Sequence, residues 1–428
     1  MEKRVRCAIW RLRKRGVGPG IGWTEPIAGA LGVSRAARLL GKGPRKIEVL
    51  LSANILKNAM GVGIPGTGMI GLPIAVALGA LAGNPDYQLE VLKDITPEDV
   101  GRGKQLIDAQ CIDIQLKPDI TEKLYIEVSV SAGDDSAVAV IAGGHTSFVY
   151  EACNGQVLLD HRTTSSDEEA DDDCGLTLRK VYDFALTAPL DEIEFILESA
   201  RLNKAAAEAS FKGRYGHSLG RSLRDDNERR VMGDSVFTHI LSYTSGACDA
   251  RMAGAMIPVM SNSGSGNQGI AATLPVVVYA EENKKSREEM IRALTLSHLT
   301  VIYIKQSLGR LSALCGCVVA ATGSSCGITY LMGGGYEEVT YAVKNMVANL
   351  TGMICDGAKP SCAMKLTSGV STAVFSAMLA MEHTCVTAVE GIVENDVDRT
   401  IHNLTRIGSQ GMNETDRLVL DIMTHKCP

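Results

Sequence analysis

Ile47–Asn54 reads IEVLLSAN, alternating apolar and polar residues with the two-residue period of a half-buried strand. Tyr87–Leu92, Cys111–Leu116, Leu124–Ser131, Ser136–Ala142 and Ser147–Ala152 are further strand candidates, rich in Val, Ile and Tyr. Between them, Pro97–Ala109 reads as a helix capped by Thr96 with Asp99 in its first turn, and Ile74–Leu81 is helical in character. Asn154-Gly155 fits a hairpin turn. Residues 45–160 therefore read as a mixed α+β domain. From about Leu176 onward almost no strand pattern remains. Helical periodicity runs instead through Val181–Leu186, Leu190–Asn203, Ser235–Tyr243, Glu288–Leu308, Val339–Leu350, Ser371–Met381 and Val397–Ile407. The fold class is α+β: a mixed α/β N-terminal domain followed by a large all-helical domain over 176–428. Residues 1–44 are expected to form an N-terminal helical segment packing on that helical domain. Thr163–Cys174 carries Asp167, Glu168, Glu169, Asp171, Asp172 and Asp173. Such a run could hold a divalent cation, but it reads as an acidic linker over 161–175.

Length and composition agree. A chain of 428 residues suggests two or three domains, with enough apolar surface for a core without disulfide staples. Hydrophobic residues at 45% and charged residues at 21% are ordinary for a globular protein. A net charge of −6 gives no basic field for nucleic acid or an anionic membrane, and 4% aromatics argue against base-stacking platforms. Met1–Gly16 is basic and reads as a solvated first helix. Its longest apolar run, Cys7-Ala8-Ile9-Trp10, is too short for a signal-peptide core, so a cytoplasmic location with reduced thiols is expected. Asn58–Pro85, Met252–Ala280, Leu311–Tyr336 and Leu366–Met381 carry no charge, and the first three exceed a spanning length of about 20 residues. Prolines, glycines and polar loops interrupt those three, so they read as buried small-residue helices; a transporter with broken helices has a similar composition.

Three constellations carry chemistry. Cys315-Gly-Cys317 and the run from Cys355 to Cys362 lie at breaks between apolar helices, where thiolates can enclose a soft metal or an iron–sulfur cluster. The spacing is not a zinc-ribbon pair. Cys111, Cys153, Cys248, Cys326 and Cys385 read as packing residues. The loop holding Cys355 and Cys362 is rich in Gly, Pro and Lys, a poor site for mere packing, and Lys359 and Lys365 would favour thiolate. Ser261–Gly269 (SNSGSGNQG) is a Gly/Ser/Asn loop whose backbone N–H groups can form an anion site. Gly63-Ile-Pro-Gly66-Thr67-Gly68, preceded by Asn54, Lys57 and Asn58, is neither a Walker A nor a Rossmann fingerprint. It reads as a tight turn or as a second backbone surface facing the same ligand, with Lys57 as its charge partner. The histidines are dispersed, with no HExxH pair, and no nucleophile elbow is present. Composition leaves a PLP enzyme open.

At these residues the sequence resembles a known family. SANILKNAMGVGIPGTG (52–68), SNSGSGNQGI (261–270), GRLSALCGC (309–317) and CDGAKPSCAMKL (355–366) look like the L-cysteine desulfidase branch of the iron–sulfur L-serine dehydratase alpha-chain family. The likeness runs from about Gly22 to about Ile407. It implies a PLP-independent [4Fe-4S] lyase with three cysteine ligands and one iron open to substrate. Carried over, the ligands are Cys355, Cys362 and Cys315, with Cys317 as the alternative third. Ser261, Asn262, Ser263, Gly264 and Asn267, with Gly66 and Thr67, would grip a small-molecule amino acid. The implied reaction is β-elimination of L-cysteine to pyruvate, ammonia and sulfide. The near rival is L-serine dehydratase activity on the same scaffold. One departure matters: the family usually has a cysteine immediately before Thr-Glu-Pro, and here Trp23 stands there. The general base is therefore unassigned, with Lys57 and Cys427 as candidates, and a non-catalytic relative weakened by Trp23 is the rival from another class. No nucleic-acid or membrane partner is expected. The small-residue helices can pack within a subunit or between subunits of a homo-oligomer.

Overall fold

A computed structural model describes residues 16–20, 22–118, 120, 122–162, 175–225, 231–309 and 312–425. Most of the basic arm, the acidic run Thr163–Cys174 and Cys427 lie outside the described residues. The chain is α+β, as read. β1 (Val17–Gly20) leads into α1 (Thr24–Leu40). β2 (Lys46–Leu51) is followed by α2 (Ala53–Ala59), α3 (Leu72–Ala82), α4 (Pro97–Asp108), β3 (Ile112–Leu116), β4 (Tyr125–Ala132), β5 (Asp135–Ala142), β6 (Phe148–Cys153) and β7 (Gln156–Asp160). The last six strands form one sheet in the order β3-β2-β4-β5-β6-β7. β2 and β3 run parallel, as their crossover through helices requires, and every other neighbour is antiparallel. Ile47, Val49 and Leu51 point into the core from β2, the face the alternation marks. Asn154 and Gly155 both take positive φ (49° and 78°) and turn β6 into β7.

Two expectations on this side are corrected. Tyr87–Leu92 is not a strand: Pro85–Glu90 is a 3₁₀ turn, opened by Asn84, whose side chain accepts from the Asp86 N–H. Asn-Pro-Asp turn chemistry overrides the weak strand propensity that follows it. Of the segment 1–44, the described residues do not pack as one helical segment on the helical domain. α1 lies on the sheet, with Ala28, Leu31 and Val33 in the same core as Val49, Val128 and Ile141. β1 is a strand, paired antiparallel with β8 (Val259–Asn262) of the helical part. The N-terminal segment therefore ties both halves together.

The helical part comprises α5 (Leu178–Thr187), α6 (Leu197–Lys212), α7 (Val236–Met252), β8, α8 (Gly266–Glu282), α9 (Arg287–Leu308), α10 (Gly316–Leu331), α11 (Tyr336–Leu350), α12 (Cys362–Met381), α13 (Val397–Arg406) and α14 (Asn413–His425). The periodicity over Leu190–Asn203 resolves into two short turns before α6. α10 is buried nearly all round, which explains its lack of charge and of a polar face. A Cβ on Gly323 would stand 2.5 Å from Ser297 O of α9, so this pair packs backbone to backbone. Among the described residues, α12 alone is long and apolar enough to cross a membrane by length and composition, and half of its qualifying window is buried.

Candidate functional site

Two distant segments meet at the thiols. Leu314 and Ile354 form an isolated antiparallel bridge; Cys315 N–H donates to Met353 O (2.9 Å) and Cys355 N–H to Ala313 O (2.6 Å). That pairing sets Cys315 beside Cys355. Cys315 is also the N-cap of α10, and Cys362 is the first residue of α12. Both helix N-termini favour negative charge on sulfur. The Cys315 and Cys317 sulfurs are 3.3 Å apart. Cys317 lies deeper, against Met353 Sδ (3.2 Å) and Lys365 O (3.5 Å), whereas Cys355 and Cys362 are half-buried. The hydrogen bond with Cys317 holds the Cys315 thiol down, and the same contact pushes Cys317 well up. Burial raises Cys355, and it pushes Cys362 up to about 11.

The loop between Cys355 and Cys362 is pinned from several sides. Gly357 has φ +88°, and a Cβ there would meet Lys57 O at 2.2 Å. Lys359 donates to Asp356 O (3.0 Å) and Gly357 O (3.1 Å). Asp356 also ion-pairs with Lys359 and Lys365. Burial works against its charge, but those two lysines hold its carboxyl down at about 2. The pull of both lysines on the thiols is thus partly neutralised, less than the sequence suggests. Among the described residues no three His, Cys, Asp or Glu side chains close on a point as they would around a single ion. Sulfur donors gathered at two helix N-termini, with Cys355 and Cys362 held as thiols by burial and Cys315 held down, suit a larger polynuclear body whose positive charge deprotonates its ligands.

Several side chains of the Ser/Asn loop are hydrogen-bonded within the protein. Ser263 and Gly264 take positive φ (49° and 79°), and the turn is closed by Asn262 N–H to Ser265 O and Ser265 N–H to Asn262 O, both 3.0 Å. Ser261 Oγ donates to Gly18 O (2.7 Å) and Ser263 N–H to Gly16 O (2.7 Å). Asn262 is fully buried and donates to His298 Nδ1 (3.0 Å) and His298 O (3.1 Å). Burial pushes His298 down to about 3, so its ring is neutral, and its Nε2–H donates to Thr273 Oγ1 (2.9 Å). Ser261, Asn262 and Ser263 therefore hold the loop. What the loop presents is the N-terminus of α8, with Asn267 and Gln268 in its first turn. Gln268 lies against the start of α10, its amide 3.0 Å from where a Cβ on Gly316 would sit. Gly66 is exposed near Ile95 and Met256, and the Thr67 hydroxyl donates to Ile64 O within its own turn (2.7 Å).

Three residues went unread in the sequence. Arg251, at the end of α7, stacks over the Trp23 ring (4.3 Å to its centroid) and donates to Gly22 O and Asn267 Oδ1, each at 3.0 Å. Glu25, in the first turn of α1, is buried and accepts from Asn58 Nδ2 (3.1 Å). Gln268 is the third. One signal was available: Arg251 borders the uncharged stretch beginning at Met252, as Lys57 borders that beginning at Asn58. Lys57 is itself buried and ion-paired to Asp416 of α14, so the candidate base is already engaged.

An α+β protein with a thiol-lined break between buried helices, facing a loop from the sheet side, is the class that fold and site define. The chain belongs to the serine dehydratase alpha chain family, whose model matches residues 86–421. Membership points to an enzyme of the lyase type. The chain is 74% identical over 426 residues to a UPF0597 protein of Bacteroides fragilis, with all of both chains covered. It is 73% identical over 427 residues to one of Phocaeicola vulgatus (100% and 99% covered) and 48% identical over 411 residues to one of Oleidesulfovibrio alaskensis (96% of each).

Proposed function

We propose that the chain is a [4Fe-4S]-dependent lyase that performs β-elimination on L-cysteine, with Cys315, Cys355 and Cys362 holding the cluster. The observation that carries this is the bridge between 313–315 and 353–355, which joins thiols 40 residues apart in sequence next to the first residue of α12. Cys317, deeper and set against Met353 and Lys365, is the supporting thiol. An open iron would supply a Lewis acid for the departing sulfide. The rest falls to the chain. A base takes the Cα proton, the C–H pair becomes the Cα–Cβ double bond, and the Cβ–S bond breaks. The released aminoacrylate takes up water to give pyruvate and ammonia. Glu25, beside Arg251 and Asn58, is a buried carboxyl that burial raises to about 7, able to carry a proton near neutrality.

Anaerobic purification, iron and sulfide analysis and pyruvate assays test the reading. About four irons and four sulfides per chain, with pyruvate from L-cysteine, are expected. Cys355→Ala and Cys362→Ala should each lose the broad brown absorbance after reconstitution. Full iron and colour in both variants would overturn the ligand assignment, and pyruvate from L-serine alone would make the chain a serine dehydratase.

A further inference from the structure

Arg251 is a buried cation whose hydrogen-bond acceptors, Gly22 O and the Asn267 amide oxygen, are both neutral. A buried charge calls for an opposite charge. Burial lowers Arg251 only to about 10, so it stays protonated at neutral pH, while Glu25 beside it is raised to about 7 and only partly ionised there. Three buried polar atoms, on Arg251, on its stacking partner and on the residue after Asn267, have no hydrogen-bond partner: Arg251 Nε, Trp23 Nε1 and Gln268 Oε1. Buried polar atoms are normally paired, and a bound ligand is one partner that would account for these. Two are donors, on side chains stacked 4.3 Å apart; the third is an acceptor, on a side chain against the start of the helix that Cys315 caps. Donors beside a cation match a carboxylate, and the acceptor matches an ammonium.

We propose that Arg251 and the Trp23 indole N–H bind the carboxylate of a small α-amino or α-keto acid, with Gln268 Oε1 accepting from the ammonium of the amino acid. The proposal rests on the reading that this site takes an α-amino acid, and it assigns Trp23 a binding role where the family resemblance places a cysteine. All three atoms are sealed from solvent, so the ligand enters by displacing a wall of the site. Trp23, the partly exposed member, is that wall.

The chain has two tryptophans, so Trp10→Phe leaves Trp23 as the single indole reporter. Full-length protein, purified anaerobically, is titrated with pyruvate, with L-serine and with ethylamine. Pyruvate and L-serine should shift Trp23 emission saturably, and ethylamine should not. By calorimetry, Arg251→Gln should weaken pyruvate binding roughly tenfold or more. Trp23→Phe keeps an aromatic face under Arg251 and loses the N–H together with the five-membered ring, so it should fold and weaken pyruvate several-fold. Gln268→Leu should weaken L-serine more than pyruvate. Unchanged pyruvate affinity in Trp23→Phe and in folded Arg251→Gln would overturn the proposal, as would an equal response to ethylamine. Iron analysis of the same preparations separates the two readings. Arg251-dependent pyruvate binding without iron keeps the seat and removes the cluster lyase; iron-loaded protein whose pyruvate binding ignores both variants removes only the seat.

Discussion

Burial lifts the Glu25 carboxyl to about 7, against a partial downward pull from its backbone hydrogen bond, Arg251, Asn58 and Lys57. An unfolded chain would release this proton near the ordinary glutamate value of 4.5. Between those two pH values the folded state binds more protons than the unfolded one, so this residue's contribution to stability falls as pH rises through the window. The full loss is on the order of 3 kcal/mol, complete above about pH 7. His298 acts oppositely: held neutral by burial, it stabilises above the ordinary histidine range and loses that contribution as pH falls toward about 3. Comparing a variant with the wild type isolates Glu25. Glu25→Gln keeps an acceptor for Asn58 and cannot ionise. Urea unfolding should find it equal to the wild type near pH 4.5 and more stable at pH 8; parallel stability curves across that range would contradict the burial.

Among the elements, the loop from Cys355 to α12 is the most constrained. Gly357 needs its left-handed backbone and its missing Cβ at once, because Lys57 O stands 2.2 Å from where a Cβ would sit. Gly357→Ala should therefore destabilise by more than about 1 kcal/mol and also lose iron on reconstitution, because the loop carries the thiols at both ends. Wild-type iron retention and melting would mean that the loop relaxes freely. Such elements were legible in the sequence where their cause is local. The alternation of β2 and the Asn154-Gly155 turn follow from neighbouring residues, and the cysteines stood out by interrupting apolar helices. The 3₁₀ turn at Pro85–Glu90 hid behind Tyr, Leu and Val, whose strand preference loses to an Asn-Pro-Asp start. The seat of Trp23, Arg251 and Gln268 was not legible, because its members come from three separate elements and meet only when α1, α7 and α8 pack. Asn262 was legible as special, but its partner His298 lies 36 positions on, out of reach of any local pattern.

Across the whole molecule, the two cores are joined at both ends of the chain. β1 crosses to β8, and α14 returns from the helical part to set Leu420 into the sheet-side core. The ion pair between Lys57 and Asp416 fastens that return, with the lysine only 2% exposed and the aspartate 20%. Lys57 precedes the uncharged loop that packs along Ala358 and Lys359, so the same residue holds the sheet side, the C-terminal helix and the thiol loop in one register. Removing one partner leaves the other charge buried, which is costlier than removing both. Asp416→Ala should cost about 3 kcal/mol, seen as a lower urea midpoint, and should speed alkylation of Cys355 in metal-free protein as α14 loosens. Lys57→Met with Asp416→Leu should recover most of the stability, because apolar groups of similar size refill the space. If the double variant recovers stability while Cys355 stays as reactive as in Asp416→Ala, the ion pair sets the register of the thiol loop. If stability and reactivity recover together, packing of α14 alone sets it and the charges are replaceable.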